Sequence, residues 1–206
     1  MTNMSRAFFD CSRDGVRAED AEKDFSVLAA FASWAIDSNR LALALDCERF
    51  GRLSPHGRTG KRLEQEERVR PRQSVLCLAE SEEDRFMQLA AVLAVGGRAI
   101  WPVEDGMAEL LAGLPGSVRE WVALADVSAT TILDFDVALC HGDEDAFQGV
   151  LRGISERDGP IVVVLVLPPG SVEIPLNALV VGLSGENPAE ATSAESRRLQ
   201  LLRCRP

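Results

Sequence analysis

Two neighbouring residues, Cys140 and His141, have the side chains best suited to nucleophilic chemistry. A thiol activated by a nearby imidazole is an established kind of catalytic nucleophile. The run FDVALC that ends at Cys140 predicts a buried strand, and successive side chains of a strand point to opposite faces. The position therefore favours a core cysteine followed by a strand-end histidine over a catalytic pair.

A second possible site combines His141 with Asp143 and Asp145, which could hold a weakly bound metal ion. Acidic residues just before and within the first turn of a helix are more simply explained as helix-capping residues. The other histidine of the chain, His56, lies in a segment rich in proline and glycine. We therefore predict no catalytic residue and no metal ligand in this chain.

A cluster of four acidic residues follows the strand predicted at residues 75–79, where an α/β fold usually binds phosphate. Two like charges a few ångströms apart repel by about 4 kcal/mol at a surface-like dielectric, so several such pairs would outweigh the attraction of a helix dipole. Neither GxGxxG nor GxxxxGK[ST] occurs in the sequence. We therefore predict a dinucleotide-type fold that binds no dinucleotide. The acidic residues of this cluster are Glu80, Glu82, Glu83 and Asp84.

The elements that position these residues alternate between strand and helix from residue 74 onwards. Ser81 and Asp143 are suitable N-caps for two of the helices, and Gly96 with Gly97 can end the first of them in a left-handed conformation. Such alternation predicts a Rossmann-like three-layer α/β sandwich with a mostly parallel sheet. Strands are predicted at 75–79, 99–103, 130–133, 137–140 and 161–167, helices at 81–95, 107–114, 118–124 and 143–156, and a further helix or strand pair at 176–183.

The chain divides into five segments by composition and periodicity. Apolar residues at helical spacing in residues 24–50 predict two helices with a short break, and the proline- and glycine-containing residues 51–73 predict a linker arm. Residues 74–185 form the Rossmann-like domain. The remaining segments are a frayed N-terminus, 1–23, and a tail, 186–206. Trp34 and Trp101 are expected to pack in the core or against a neighbour, whereas Trp121 is expected on a helix, on a face that stays open.

Charge and cysteine content limit the environment and the partners. The net charge is −10, which argues against binding to nucleic acid or to an anionic membrane surface. The five cysteines are odd in number and form no CxxC pair, and two of them, Cys77 and Cys140, fall inside strand patterns. These features indicate free thiols in a reducing, cytoplasmic compartment.

Several sequence blocks resemble the C-terminal domain of the long proline utilization A proteins, which are bifunctional proline dehydrogenases and Δ1-pyrroline-5-carboxylate dehydrogenases. The blocks include LSPHGRTGKR, VRPRQSVLCLAESEEDRFMQLAAVLAVGGRAIWP, LPGSVREWV, FDVALCHGD and EIPLNALVV, and they occur in order between residues 25 and 181. The family usually ends in a small-residue motif, whereas the last 21 residues here, ENPAEATSAESRRLQLLRCRP, differ from it.

This resemblance implies an aldehyde dehydrogenase-like fold without catalytic duty. In the family such a domain packs on the aldehyde dehydrogenase module and helps to close the cavity through which the pyrroline intermediate passes. NAD and FAD belong to other modules, so no cofactor is expected in this chain. The expected partners are proline dehydrogenase and pyrroline-5-carboxylate dehydrogenase modules, or a second copy of the chain. Two alternatives remain open: an NAD-dependent dehydrogenase-class enzyme, and a regulatory module that binds a small cationic or neutral metabolite at the acidic strand ends.

Overall fold

The structure is a computed structural model that describes residues 18–54, 68–71, 74–127, 135, 137–155, 162–183 and 202–203. The helices are α1 (Ala18–Asp37), α2 (Leu41–Leu53), α3 (Glu82–Ala94), α4 (Met107–Ala112), α5 (Gly116–Arg119) and α6 (Glu144–Ser155), with a 3-10 turn at Leu176–Leu179. The strands are β1 (Arg68–Pro71), β2 (Ser74–Ala79), β3 (Arg98–Pro102), β4 (Val122–Ala125), β5 (Val137–His141), β6 (Val163–Leu167), β7 (Val180–Leu183) and β8 (Leu202–Arg203).

Six of the strands form one parallel sheet in the order β4-β3-β2-β5-β6-β8. The chain runs outwards from β2 through β3 to β4 and then returns to the other side of β2 as β5. The two-residue strand β8 pairs with β6, and a separate antiparallel pair joins β1 to β7. The predicted Rossmann-like α/β fold with a mostly parallel sheet is confirmed.

Helices cover both faces of the sheet, as the three-layer prediction requires. Helix α3 packs on one face, and all its residues from Asp84 to Ala94 are buried. Three partly buried residues of α6, Val150, Leu151 and Ile154, pack on a smaller apolar cluster on the sheet that includes Ala138. The larger core lies on the α3 side, where side chains from α1, α2 and the sheet join one cluster.

Helices α1 and α2 form a hairpin on the outer side of α3. The turn between them contains Asn39 with φ of 58°, a left-handed conformation that asparagine tolerates better than most residues. Phe31 on α1 and Phe50 on α2 are almost completely buried, as is Phe86 on α3. The helices predicted within residues 24–50 are therefore present. They are longer than predicted: α1 begins at Ala18, inside the segment 1–23 expected to be frayed, and α2 ends at Leu53, inside the predicted linker arm.

One secondary-structure prediction is wrong. Residues 118–124 were expected to be helical, but only a single turn, α5, forms there, and it is followed by strand β4. Strand β4 pairs with β3, and the backbone hydrogen bond from Val103 N to the Ala125 oxygen, 3.0 Å long, continues that pairing. A four-residue strand is too short to show its own period, so the partner strand decides its conformation.

Some predictions lie outside the described residues. These are the frayed N-terminus up to residue 17, the short strand at 130–133, most of the linker arm and most of the tail. Within the arm, Arg68–Pro71 forms strand β1, and within the tail, Leu202–Arg203 forms strand β8. None of the helices in the described part of the chain has the length and apolar character that a membrane span requires.

Candidate functional site at the carboxyl ends of the strands

The expected ligand crevice lies between the carboxyl ends of β2 and β5. These two strands are neighbours, and the chain leaves them in opposite directions across the sheet. Such a topological switch point is where open α/β sheets bind ligands. The last register pair here is Ala79 and His141, so the acidic cluster and the histidine predicted from the sequence meet at one place.

The N-terminus of α3, the natural phosphate anchor, is capped by its own chain. The Ser81 hydroxyl accepts a hydrogen bond from Asp84 N at 3.1 Å, and the Ser81 carbonyl accepts one from Arg85 N at 3.1 Å. The Asp84 N–H is among those that would otherwise point at an anion, whereas the Arg85 bond is the ordinary first bond of the helix. The predicted N-cap is confirmed, and it engages one of the donors that a phosphate at this helix end could use.

Replacing Ser81 with alanine should lower the free energy of unfolding by about 1 kcal/mol, because the N–H of Asp84 loses its acceptor in the folded state. The variant Ser81→Thr retains a hydroxyl acceptor and should remain close to the parent protein. Thermal unfolding of the three proteins measures the difference. Equal stability of Ser81→Ala and the parent would show that this cap is not used.

A buried cation lies among the acidic side chains. The guanidinium of Arg85, only 2% exposed, donates to the Ala79 carbonyl, to Glu104 at 3.3 Å and to the Met107 sulfur at 2.9 Å. The sequence analysis did not single out Arg85, because its burial depends on contacts with Glu104 and Met107, which are distant in the sequence. Its contacts show that the cation holds the end of β2 against the segment before α4.

The four acidic residues do not all face the crevice as free charges. Glu82 pairs with Arg40 from the turn before α2, and Arg40 also lies over the Phe86 ring at 4.9 Å from its centroid. Asp84 turns inwards and is 6% exposed, whereas Glu80 and Glu83 remain on the surface. This corner is therefore not a set of four free carboxylates, as the sequence alone suggested.

A loop that follows β6 passes over the crevice and supplies the partner of Asp84. We call residues 168–172 the crossing loop. The Gly170 N–H donates to both carboxylate oxygens of Asp84, at 2.9 and 3.2 Å. Gly170 has φ of 74°, which favours glycine because a side chain is strained there. The crossing loop is thus tied to the first turn of α3 through a buried carboxylate.

His141 provides a second connection between the crossing loop and α3. Its Nε2 lies 3.0 Å from the Ser171 carbonyl oxygen, which can only accept, so Nε2 carries the hydrogen. Its Nδ1 then accepts from the Gln88 side-chain amide at 2.9 Å, and the same amide donates to the Leu78 carbonyl at 2.9 Å. With both ring nitrogens engaged, this buried imidazole has no lone pair for a metal ion or for proton abstraction.

In the described residues, the geometry supports neither the metal site nor the catalytic cysteine that the sequence analysis considered. Asp143 accepts from Ala146 N at 2.9 Å and so acts as the N-cap of α6, as predicted. No group of three metal-binding side chains is brought together in the described ranges. Burial, together with the charges of Glu80 and Asp143, raises the pKa of the Cys140 thiol, which disfavours the thiolate that a nucleophile requires.

Two further thiols are buried in the core, and they give the stability a pH dependence. Burial raises the pKa of Cys77 from 9.0 to about 12, and burial with the charge of Asp46 raises the pKa of Cys47 from 9.0 to about 12. Between these values the unfolded thiol loses its proton while the folded thiol keeps it. The stabilising contribution is thus complete below pH 9.0 and is lost as the pH rises towards about 12.

We therefore expect the free energy of unfolding to fall above pH 9.0 by at most about 1.4 kcal/mol per pH unit for each of these thiols. Urea unfolding of the parent and of Cys77→Ala across this range measures the slope. The variant should be less stable overall but should lose its stability more gradually as the pH rises. The same slope in both proteins would contradict the assignment to Cys77.

A separate cleft of about 610 Å³ lies between the end of α2 and the outer side of the crossing loop. Arg49, Leu53, Val172 and Glu173 are among its lining residues. The guanidinium of Arg49 donates to the Val172 carbonyl and pairs with Asp46 at 2.9 Å. The volume is in the range of small-ligand sites, but the predicted acidic strand ends do not line the cleft.

Two of the three tryptophans have the structural positions predicted for them. Trp101 is completely buried, and Trp34 stacks on Phe31 with ring centroids 5.5 Å apart. Trp121 is half-buried, with the Arg98 guanidinium over its ring at 5.5 Å. None of these rings lines the crevice as a stacking platform.

The fold and the connections across the crevice define a Rossmann-like α/β domain whose own polar groups are hydrogen-bonded to one another at the carboxyl ends of β2 and β5. Comparison with known proteins adds a relationship by sequence. The chain is 35% identical over 161 residues to the bifunctional protein PutA of Escherichia coli K12, and 35% over 161 residues to that of Salmonella typhimurium LT2. The PutA of Klebsiella aerogenes is 33% identical over 162 residues. Each match covers 75% of this chain, and the chain is thus a PutA-related domain.

The similarity covers only a small part of the PutA relatives, and this limits the functional conclusions that it supports. The chain spans 12% of the length of these PutA relatives, so it corresponds to one segment of them. No family model matches the chain. A substrate-bound structure of Staphylococcus aureus AldH matches this chain with a TM-score of 0.43 and 13% sequence identity. The match covers 73% of this chain and 40% of the AldH chain. That last similarity is too distant to support a functional assignment.

Proposed function

We propose that this chain is a non-catalytic scaffold or lid that supports proline oxidation by other protein modules. In this proposal, proline is converted to glutamate through Δ1-pyrroline-5-carboxylate elsewhere, by modules that hold FAD and NAD. The chain packs against the aldehyde-oxidising module and keeps the intermediate from escaping into solvent. The relationship to PutA over 75% of the chain supports the pathway, and the filled crevice supports the absence of a catalytic role.

The position of the crossing loop is the main observation that supports this proposal. In a catalytic Rossmann domain, the dinucleotide lies where the strand ends meet a helix N-terminus. Here Asp84 and His141 hold the backbone at Gly170 and Ser171 over that position. A dinucleotide would have to displace the loop, so that the buried Asp84 carboxylate and the Nε2–H of His141 would lose their loop partners, which costs about 1–3 kcal/mol for each.

The proposed partners and compartment follow from the same features. A net charge of −10 disfavours nucleic acid and anionic membranes, so the partner is a protein module rather than a nucleic acid or a membrane. Free buried thiols agree with a reducing cytoplasm, which is where the NAD-dependent modules of the pathway would work.

A mixing experiment tests the proposal. The purified chain is combined with the proline-oxidising enzyme of the same cell, and the mixture is run on a sizing column. We expect the two proteins to elute together. We also expect proline to be converted to glutamate faster, or with less free pyrroline-carboxylate released into solution during turnover. Separate elution together with unchanged release of the intermediate would count against a scaffold role.

The cleft beside the crossing loop favours a second candidate, a module that binds a small metabolite. Its size fits a small ligand, and Arg49 and Glu173 provide charges of both signs at its wall. A thermal-shift screen with proline, arginine and polyamines tests this candidate, and Arg49→Ala serves as the control. A stabilising ligand whose effect disappears in Arg49→Ala would favour the regulatory module over the scaffold.

A further inference from the structure

The cleft beside the crossing loop combines charges of both signs with an apolar wall. Its volume of about 610 Å³ is within the range of small-ligand sites. Its walls come from two parts of the chain, the end of α2 and residues 168–175. At the cleft, the side chains of Leu53 and Val172 are 50% and 43% exposed, so they present apolar surface that the described fold does not bury. The cleft therefore suits a ligand that is apolar in one part.

Arg49 is the cation of the cleft, and its described contacts leave part of its guanidinium unused. Its Nη2 donates to the Val172 carbonyl and pairs with Asp46 at 2.9 Å. Its Nε has no hydrogen-bond partner among the described residues. A guanidinium carries five N–H donors in a planar fork, which matches the two oxygens of a carboxylate. Arg49 can therefore bind a ligand carboxylate and keep its contact to the crossing loop.

The carboxylates near Arg49 favour a zwitterion over a simple anion. Glu173 lines the cleft and is exposed, and Asp46 already offsets the charge of Arg49. Two acidic groups thus accompany one basic group, and a ligand with only a negative charge is repelled by the excess. An ammonium group near Glu173 removes that repulsion. A carboxylate, an ammonium group and an apolar side chain on one small molecule describe an apolar α-amino acid.

We propose that the cleft binds a free apolar α-amino acid, with its carboxylate on Arg49 and its ammonium group towards Glu173. Its side chain then lies against Leu53 and Val172. This inference rests on the second candidate function, the metabolite-binding module, and names the class of its ligand. The bound molecule contacts both α2 and the segment that continues the crossing loop, so it holds the loop closed.

Titration calorimetry of the whole chain with three matched probes tests the proposal. Leucine carries both charges, isocaproate lacks the ammonium group, and isoamylamine lacks the carboxylate. We expect leucine to bind at least about tenfold more tightly than either of the other two, because each of them leaves one charged group of the cleft without its partner.

Substitutions separate the two charged contacts. Arg49→Gln should weaken leucine binding by about tenfold or more, and Glu173→Gln, at an exposed position, by about fivefold. Glu173→Gln also guards against a folding defect in the first variant, and circular dichroism confirms that each protein is folded. Glu109→Gln removes an exposed carboxylate on α4 and should leave leucine binding unchanged.

Hydrogen exchange at the Gly170 amide gives a second measurement. Leucine at about ten times its dissociation constant should slow this exchange by up to about tenfold, because the bound molecule closes the loop. Leucine that binds no better than the two singly charged probes would overturn the inference, as would binding that is unchanged in both folded variants.

The screen of metabolites separates this inference from the function on which it rests. Stabilisation by a polyamine, without leucine binding, would overturn the amino-acid ligand and leave the metabolite-binding module in place. A parent protein that binds none of the probes or screened compounds would contradict both.

Discussion

Replacing Phe86 with alanine should lower the free energy of unfolding by about 3–5 kcal/mol, because it leaves a cavity in the larger core. Phe86 is 1% exposed and lies at the centre of an aromatic cluster that joins three layers. Its ring contacts Phe31 and Trp34 of α1, at centroid distances of 5.9 and 5.2 Å, and Trp101 of β3 at 6.4 Å. The substitution should therefore loosen the hairpin from the sheet as well as lower the overall stability.

Chemical denaturation followed by tryptophan fluorescence measures this effect, since Trp34 and Trp101 both lie against the mutated side chain. Phe86→Leu keeps most of the volume and should cost less than half as much as Phe86→Ala. Val103→Ala, at an exposed position, should leave stability nearly unchanged. A loss below about 1 kcal/mol for Phe86→Ala would contradict the role of this cluster in joining the layers.

Replacing Asp84 with alanine should have the second-largest effect, a loss of about 2–3 kcal/mol. The Gly170 N–H would lose the two acceptor oxygens at 2.9 and 3.2 Å, whereas the contacts of the crossing loop to His141 and Arg49 would remain. We also expect faster hydrogen exchange at the Gly170 amide in the folded protein, because the loop opens more often.

Matched variants separate the buried contact from general charge effects. Glu83→Ala removes an exposed carboxylate from the same helical turn and should change stability by less than about 0.5 kcal/mol. Asp84→Asn keeps one acceptor oxygen and should lie between the parent and Asp84→Ala. If Glu83→Ala and Asp84→Ala were equally stable, the connection between α3 and the crossing loop would not be a structural element of this protein.

The local signals in the sequence predicted most of the fold. Ser81 caps α3 as expected, and Gly96 ends that helix region with φ of 73°. The apolar run at 161–167 predicted β6, which the structure places at Val163–Leu167. Each of these features depends on residues within a few positions of one another, so a pattern in the sequence is sufficient to find them.

The elements that were missed or left open depend on distant partners. Strand β4 was taken for helix because its conformation is fixed by hydrogen bonds to β3. Strand β1, inside the predicted linker arm, pairs with β7 from the far end of the domain. Neither pairing leaves a periodic signal in a four-residue segment, so the sequence around it could not predict it.

At the candidate site, too, the contacts between residues distant in the sequence could not be predicted. The sequence located the acidic cluster and His141 at the carboxyl ends of the strands, and the structure brings them together. It could not show that Asp84 accepts from a backbone 86 residues away, or that Arg40 and Arg85 lie among the acids. The expectation based on charge repulsion is therefore extended by a more specific proposal, in which the chain's own groups occupy the ligand position.

Titration calorimetry with NAD tests this central claim most directly. We expect no saturable heat with the parent protein at NAD concentrations up to about 5 mM, which corresponds to binding weaker than about 3 kcal/mol. The variant Asp84→Ala should also fail to bind, because the Ser81 cap and the Arg85 contacts remain in place. Saturable binding of NAD to the parent protein, with a dissociation constant below about 1 mM, would contradict the account.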